Sequence, residues 1–224
     1  MEKPKVRISV RNLVEFILRS GDLDNSRGSS GDKEAMLKGG RLHRKIQRSM
    51  KGNYQAEVSL KRESGYEDTI IQVEGRADGI FTEDGEVWID EIKGTYGNLQ
   101  AMEMPVPVHR AQAMCYGWIY GEKEGLSQIG IQMTYSHLDT EDTRRFREIF
   151  SMEELKKWYQ ELLDAYHKWI AYSLSWKKER NASMTDLQFP FPYREGQREI
   201  VSGVYHTVSS KKTLFVQAPT GVGK

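Results

Sequence analysis

Asp78, Glu91 and Lys93 are the residues of this chain whose types and spacing most directly suggest chemistry. Asp78 lies in Gly75-Arg76-Ala77-Asp78-Gly79-Ile80, and Glu91 follows thirteen positions later in Val87-Trp88-Ile89-Asp90-Glu91-Ile92-Lys93-Gly94. The turn signal at 81–85 (FTEDG), between segments rich in β-branched residues, predicts an antiparallel hairpin that sets Asp78 and Glu91 opposite each other near one end. Residues two apart in a strand share a face, so Glu91 and Lys93 project together while Ile92 points into the core and leaves its carbonyl nearby. Two carboxylates and a backbone oxygen suit a hard divalent cation, Mg²⁺ or Mn²⁺. Lys93 beside them can hold a scissile phosphate or orient an attacking water. The plain alternative is a solvated hairpin with charges on its outer face. The isoleucines and tryptophan around Asp90 and Glu91 weigh against it, because they imply a largely buried strand whose carboxylates need a cation or hydrogen bonds.

Two helical elements must bring further groups to the same place. Upstream, Gly40–Gln47 (GRLHRKIQ) carries His43 and Arg44 among other basic residues. Downstream, Arg110–Trp118 (RAQAMCYGW) carries Gln112 and Tyr116, whose spacing of four stacks an amide and a phenol on one helical face able to grip a phosphate or a base. A helical histidine, GRADGI, DEIKG and QxxxY, in that order, resemble the RecB-like branch of the PD-(D/E)xK nuclease superfamily over about residues 8–172. The resemblance implies an α/β fold with a restriction-endonuclease-like core, a mixed central sheet flanked by helices. It implies His43, Asp78 and Glu91 as metal ligands together with the Ile92 carbonyl, and Asp78, Glu91 and Lys93 as the catalytic set. Gln112 and Tyr116 would position DNA, and Arg44 on the basic helix would track its phosphates. One departure is that no proline precedes Asp78. Another is that several relatives hold an iron–sulfur cluster on four cysteines, whereas Cys115 is the single cysteine here, so no iron–sulfur cluster is expected.

The remaining elements follow from periodicity. Ser9 can cap a first helix with Val10, Leu13, Val14, Ile17 and Leu18 on its apolar face. A Gly/Ser/Asp-rich loop is expected at 20–31, ahead of the His43 helix. Strands are expected at 54–62, 69–82 and 86–93, a loop at 94–108, and a second hairpin at 127–137 and 143–150. Ser151-Met152-Glu153-Glu154 is a capping box opening a long helix, whose stripe of Leu155, Trp158, Leu162, Tyr166, Trp169 and Tyr172 reads as core. Glu57, on the strand before the hairpin, either approaches the metal or is simply exposed.

Length and composition fit one substantial α/β domain with an addition. The chain has 224 residues, 38% hydrophobic, with a net charge of +1. It has no apolar run of transmembrane length and no signal-peptide core at its start, so a cytoplasmic protein without membrane partners is expected. Oligomeric state is not legible.

Composition changes near Asn181, and the nuclease domain is expected over 1–182 with a different segment over 183–224. Residues 191–200 (FPYREGQREI) resemble the adenine-reading Q motif of DinG-like superfamily-two helicases, with Gln197 as the adenine contact. An apolar strand at 213–217 would then run into APTGVGK, an Ala-for-Gly form of the phosphate-binding loop in which Gly221, Gly223 and Lys224 cradle phosphates. The sequence stops before the remaining helicase motifs, so ATP is expected as a ligand of a longer parent only. The resulting expectation is a metal-dependent nuclease acting exonucleolytically on single-stranded DNA or DNA ends, fused to a helicase in DNA repair. The rival is a catalytically weak DNA-binding module that loads the helicase.

Overall fold

The structure, a computed structural model, describes residues 3–20, 32–50, 52–188 and 190–221, leaving aside the side chains of 32–36. In chain order the elements are β1 (Lys5–Ser9), α1 (Val10–Ile17), α2 (Asp32–Ser49), β2 (Gln55–Gly65), β3 (Ile70–Glu83), β4 (Glu86–Thr95), α3 (Pro107–Glu124), β5 (Gln128–His137), β6 (Thr143–Ser151), α4 (Met152–Ser183) and α5 (Gln197–Ser209). The fold is α/β, with the expected mixed central sheet flanked by helices. The loop expected at 20–31 lies almost wholly outside the described residues.

The helix ends are set by local chemistry. Ser9 Oγ accepts from the Asn12 amide at 3.1 Å to start α1. Ser151 and Glu154 form the reciprocal capping box of α4, with the Ser151 amide donating to Glu154 Oε2 at 2.9 Å and the Glu154 amide donating to Ser151 Oγ at 3.2 Å. Pro107 opens α3, and Gly125 closes it in the left-handed region, φ 68°.

The sheet runs β1-β3-β4-β5-β6, with β2 also paired to β3. β1, which the sequence reading did not anticipate, pairs parallel with β3 from Lys5↔Ile70 to Ser9↔Glu74. β2 pairs antiparallel with β3 along nearly its whole length, and β4 pairs antiparallel with β3 only from Gly79↔Asp90 outward. Because β2 bonds β3 at the same residues as β1 and again at the same residues as β4, the strands β1 and β4 must share the other edge of β3. They abut that edge at 70–74 and at 79–83, leaving residues 75–78 without a strand neighbour on that edge alone, since β2 still pairs with 75–77 on the other.

Alternation along β4 and β5 builds two cores. Ile89, Ile129, Ile131, Met133 and Tyr135 join Val10, Leu13, Ala113, Cys115, Leu155 and Leu163 in the large cluster under α1, α3 and α4. Ile92, on the opposite face, packs with Leu42 and Ile46 of α2. Trp169 and Tyr172, expected in the core, are 55% and 64% exposed. The buried stripe of α4 instead follows Leu155, Tyr159, Leu162, Leu163 and Ile170, a narrower face that leaves these two rings on its solvent side.

The chain divides into two compact units, 1–174 and 175–224. In the second unit α5 starts after Gly196, φ 73°. The strand expected at 213–217 is absent: this stretch is irregular and Phe215 is 92% exposed. An apolar run becomes a strand only where another edge takes up its backbone groups, and among the described residues of this unit no strand offers one.

Candidate metal centre

The open stretch of β3 is where the chemistry-bearing residues gather. Continued pairing would set Asp78 against Glu91, but the β3–β4 ladder stops one pair short, at Gly79↔Asp90. The Asp78 side chain takes over: its Oδ2 accepts from the Ile92 amide at 2.7 Å. A strand residue's N–H and C=O point to the same side, so the Ile92 carbonyl also faces the Asp78 side rather than β5. The β2–β3 register likewise passes over Glu57 and Asp78, where Glu57 holds a left-handed φ of 57°. Alternation slips at the same point, since Ala77 and Ile80, three apart, both enter the large core.

Helix α2 contributes from its own face. His43 Nδ1 lies 3.7 Å from Asp78 Oδ1, near enough to feel its charge and too far to hydrogen-bond. One turn later Gln47, to which the sequence reading gave no role, donates from Nε2 to the Asp78 carbonyl at 2.9 Å and to Glu57 Oε1 at 3.0 Å. The only sequence signal for Gln47 was its i+4 spacing from His43. Glu57 is fixed further by Arg76, whose Nε lies 2.5 Å from Glu57 Oε2. Arg44 stands exposed on the same helix, away from this contact set.

Glu91 is 4% exposed, and Lys93 Nζ stands 2.7 Å from its Oε1. Its other oxygen, Oε2, is buried without a hydrogen-bond partner. Burial first and the Asp78 charge second push its carboxyl up to about 8, and the Lys93 ammonium offsets only part of this. Asp78 is raised too, by burial, against the lowering effects of His43 and the Ile92 amide.

On α3, Gln112 and Tyr116 are 4% and 7% exposed. Tyr116 fills the strandless gap: its hydroxyl meets the backbone of Arg76, and a Cβ at Gly75 would lie 2.6 Å from Tyr116 Oη. Gln112 Oε1 is buried without a partner. Both side chains, expected to position DNA, are therefore largely enclosed by the protein.

The basic clusters behave differently from one another. Arg41, Arg44 and Arg48 are exposed along α2. On β6, Arg144 donates to the carbonyls of Leu99 and Gln100, and Arg147 donates to Gln132 Oε1 and to Glu83. In the second unit, Gln197 Oε1 accepts from the Arg194 amide at 3.1 Å, so the expected adenine reader is occupied at the start of α5. Gly221 has φ 95°, and Gly223 and Lys224 lie outside the described residues.

Among the described residues no three His, Cys, Asp or Glu side chains form a ready cage for a metal. The donors are nonetheless of the right kind. Asp78, the unpartnered Glu91 oxygen and the Ile92 carbonyl are hard oxygen ligands, and a Mg²⁺-like ion keeps several waters and needs only one or two carboxylates from protein. His43 stands where it could complete the set. Cys115 is fully buried and its thiol is pushed upward by desolvation, which removes it from metal or nucleophilic chemistry.

No family model and no curated protein matches this sequence. Among solved structures, the crystal structure of SSO0001 is similar over 70% of this chain and 75% of that one, with 20% identity and a TM-score of 0.46. Among the described residues no helix is long and apolar enough to cross a membrane.

Proposed function

We propose that this chain is a Mg²⁺- or Mn²⁺-dependent deoxyribonuclease that hydrolyses phosphodiester bonds of single-stranded DNA from an end. The observation that carries the reading is the buried Glu91 carboxylate with one oxygen unpartnered, set beside Asp78, the inward Ile92 carbonyl and Lys93. A protein keeps such an arrangement at a cost in stability, which a cation would offset.

In this reading His43, Asp78, Glu91 and the Ile92 carbonyl would hold the ion, which would supply Lewis-acid activation of a water and charge neutralisation at the phosphate. Lys93 orients the attacking water and stabilises the added negative charge as the water oxygen bonds to phosphorus and the ester P–O bond breaks. The products are a phosphomonoester and an alcohol. Gln47 keeps the Asp78 backbone in place, and Tyr116 props the strandless stretch of β3. Arg41, Arg44 and Arg48 offer a phosphate track on α2.

The motif order after residue 186 supports a place beside a helicase in a cytoplasmic DNA-repair enzyme. There Gln197, Gly221, Gly223 and Lys224 would serve ATP.

End-labelled single-stranded oligonucleotide with Mg²⁺ or Mn²⁺ tests the nuclease reading directly. The chain should shorten it, EDTA should stop the reaction, and Lys93→Ala should lose cleavage while binding DNA within a few fold, because the lysine acts mainly on transition-state charge. Tight, metal-independent binding with no cleavage by the parent would replace this reading with that of a loading module.

A further inference from the structure

We propose that His109 is a substrate-binding residue of this site, a neutral hydrogen-bond donor to a DNA phosphate next to the one that Lys93 engages. The inference rests on the nuclease reading and deepens it. His109 lies at positions i, i+3 and i+7 with Gln112 and Tyr116, so the three share one face of α3. The other two are buried, and His109, half-buried at the start of the helix, is the end of that row that reaches solvent.

A short hydrogen-bond chain orients its ring. Tyr135 is paired with Lys93 across the parallel β4–β5 ladder, so their side chains leave the sheet side by side on the α3 face. Tyr135 Oη accepts from the Val106 amide at 2.9 Å and lies 3.1 Å from His109 Nδ1. The buried phenol proton needs an acceptor, and among the described residues Nδ1 is the one available. Nδ1 is therefore unprotonated, and the ring carries its hydrogen on Nε2, which has no protein partner among the described residues. Burial, reinforced by the charges of Lys93 and Arg11 and opposed by Glu15, pushes this imidazole down to about 4. The ring is neutral at working pH and presents an N–H directed by the fold rather than a second cation.

A neutral donor and a cation differ in a measurable way. A cation that meets a phosphate releases a counterion and steepens the salt dependence of binding, whereas a neutral donor adds affinity without changing the slope. The probe is a short single-stranded oligonucleotide, with binding measured in Ca²⁺ to suppress cleavage and over a range of KCl concentrations. His109→Ala should weaken binding about tenfold at every salt concentration with an unchanged log–log slope. His109→Gln, whose amide places an N–H near the position of Nε2, should recover most of that loss, and His109→Phe should recover none. Thermal melting of each variant separates folding from binding. Unchanged affinity in a folded His109→Ala protein, or rescue by Phe and not by Gln, overturns the proposal in favour of a packing role. A slope reduced by about one unit overturns the neutral-donor assignment. A parent chain that binds no DNA at all sinks the nuclease reading itself, an outcome distinct from the others.

Discussion

Asp90 and Glu91 are neighbours in one strand, both buried, and they face opposite sides of the sheet. Asp90 is fully supplied: Tyr54 Oη, Gln132 Nε2 and Thr134 Oγ1 donate to its two oxygens at 3.1, 3.0 and 2.6 Å. Gly79 makes this possible, since a Cβ there would collide with the Tyr54 ring. Glu91 has one ammonium on one oxygen and nothing on the other. Two buried carboxylates thus differ in what the protein provides for them. The first is built as structure; the metal proposed above would supply what the second lacks. Burial alone does not set the two apart; the missing donors at Glu91 are what call for an explanation.

Substitutions that break this contrast should do so in opposite currencies. Glu91→Gln or Asp78→Asn should lower cleavage about a thousandfold or more, as loss of a central electrostatic group does. Parental activity in Asp78→Asn would refute the site. Asp90→Ala should strand the donors of Tyr54, Gln132 and Thr134 and cost about 3 kcal/mol, a drop of roughly 6–12 °C in Tm, with the cleavage chemistry of the surviving folded protein retained. An Asp90→Ala protein as stable as the parent would show the network to be dispensable.

The pH dependence of stability sharpens the same comparison. The Glu91 carboxyl rises from an ordinary 4.5 to about 8 in the folded, metal-free chain, so between those values the folded state holds a proton that the unfolded state has released. Stability from this group is complete below the lower value and is lost as pH rises through the upper one. Melting in EDTA should therefore show Tm falling from pH 5 to 8.5, and Glu91→Gln should flatten the fall. Added Mg²⁺ should raise the parental Tm most at the alkaline end. Equal slopes in parent and variant would mean that Glu91 ionises normally.

The smallest effect belongs to Gln47. Gln47→Ala removes the amide that links the Asp78 carbonyl to Glu57 and should cost about 1 kcal/mol in stability. Cleavage should fall about tenfold, partly restored by excess Mn²⁺. No change in metal dependence would confine Gln47 to packing.

Much of the hairpin could be read from sequence because it depends on local rules: a turn signal, β-branched flanks and a period of two place Glu91 and Lys93 together without reference to distant residues. His43 and Gln112 could be assigned to helices for the same reason. What escaped depends on tertiary pairing. Lys5–Ser9 is only five residues long and is a strand because β3 offers a free edge beside it. The irregular stretch at 213–217 is the converse, with strand-like residues but, among the described residues of its unit, no strand edge beside it. Gln132 and Thr134, 42 and 44 positions from Asp90, carry no motif. The donors to Asp90 become visible only once β4 and β5 lie side by side. The Tyr135–His109 contact depends on the same pairing.

The interruption at Glu57 and Asp78 has a further consequence for how the molecule breathes. A sheet normally transmits rigidity through unbroken ladders, and amide protons inside it exchange with solvent only when the ladder opens. Here β3 is gripped along 70–74 and 79–83 on one edge, with a soft seam between, bridged by side chains from α2 and α3. A ligand held jointly by Asp78 and Glu91 would stitch that seam. Occupancy would then register far from the carboxylates, as slowed amide exchange in both halves of the sheet.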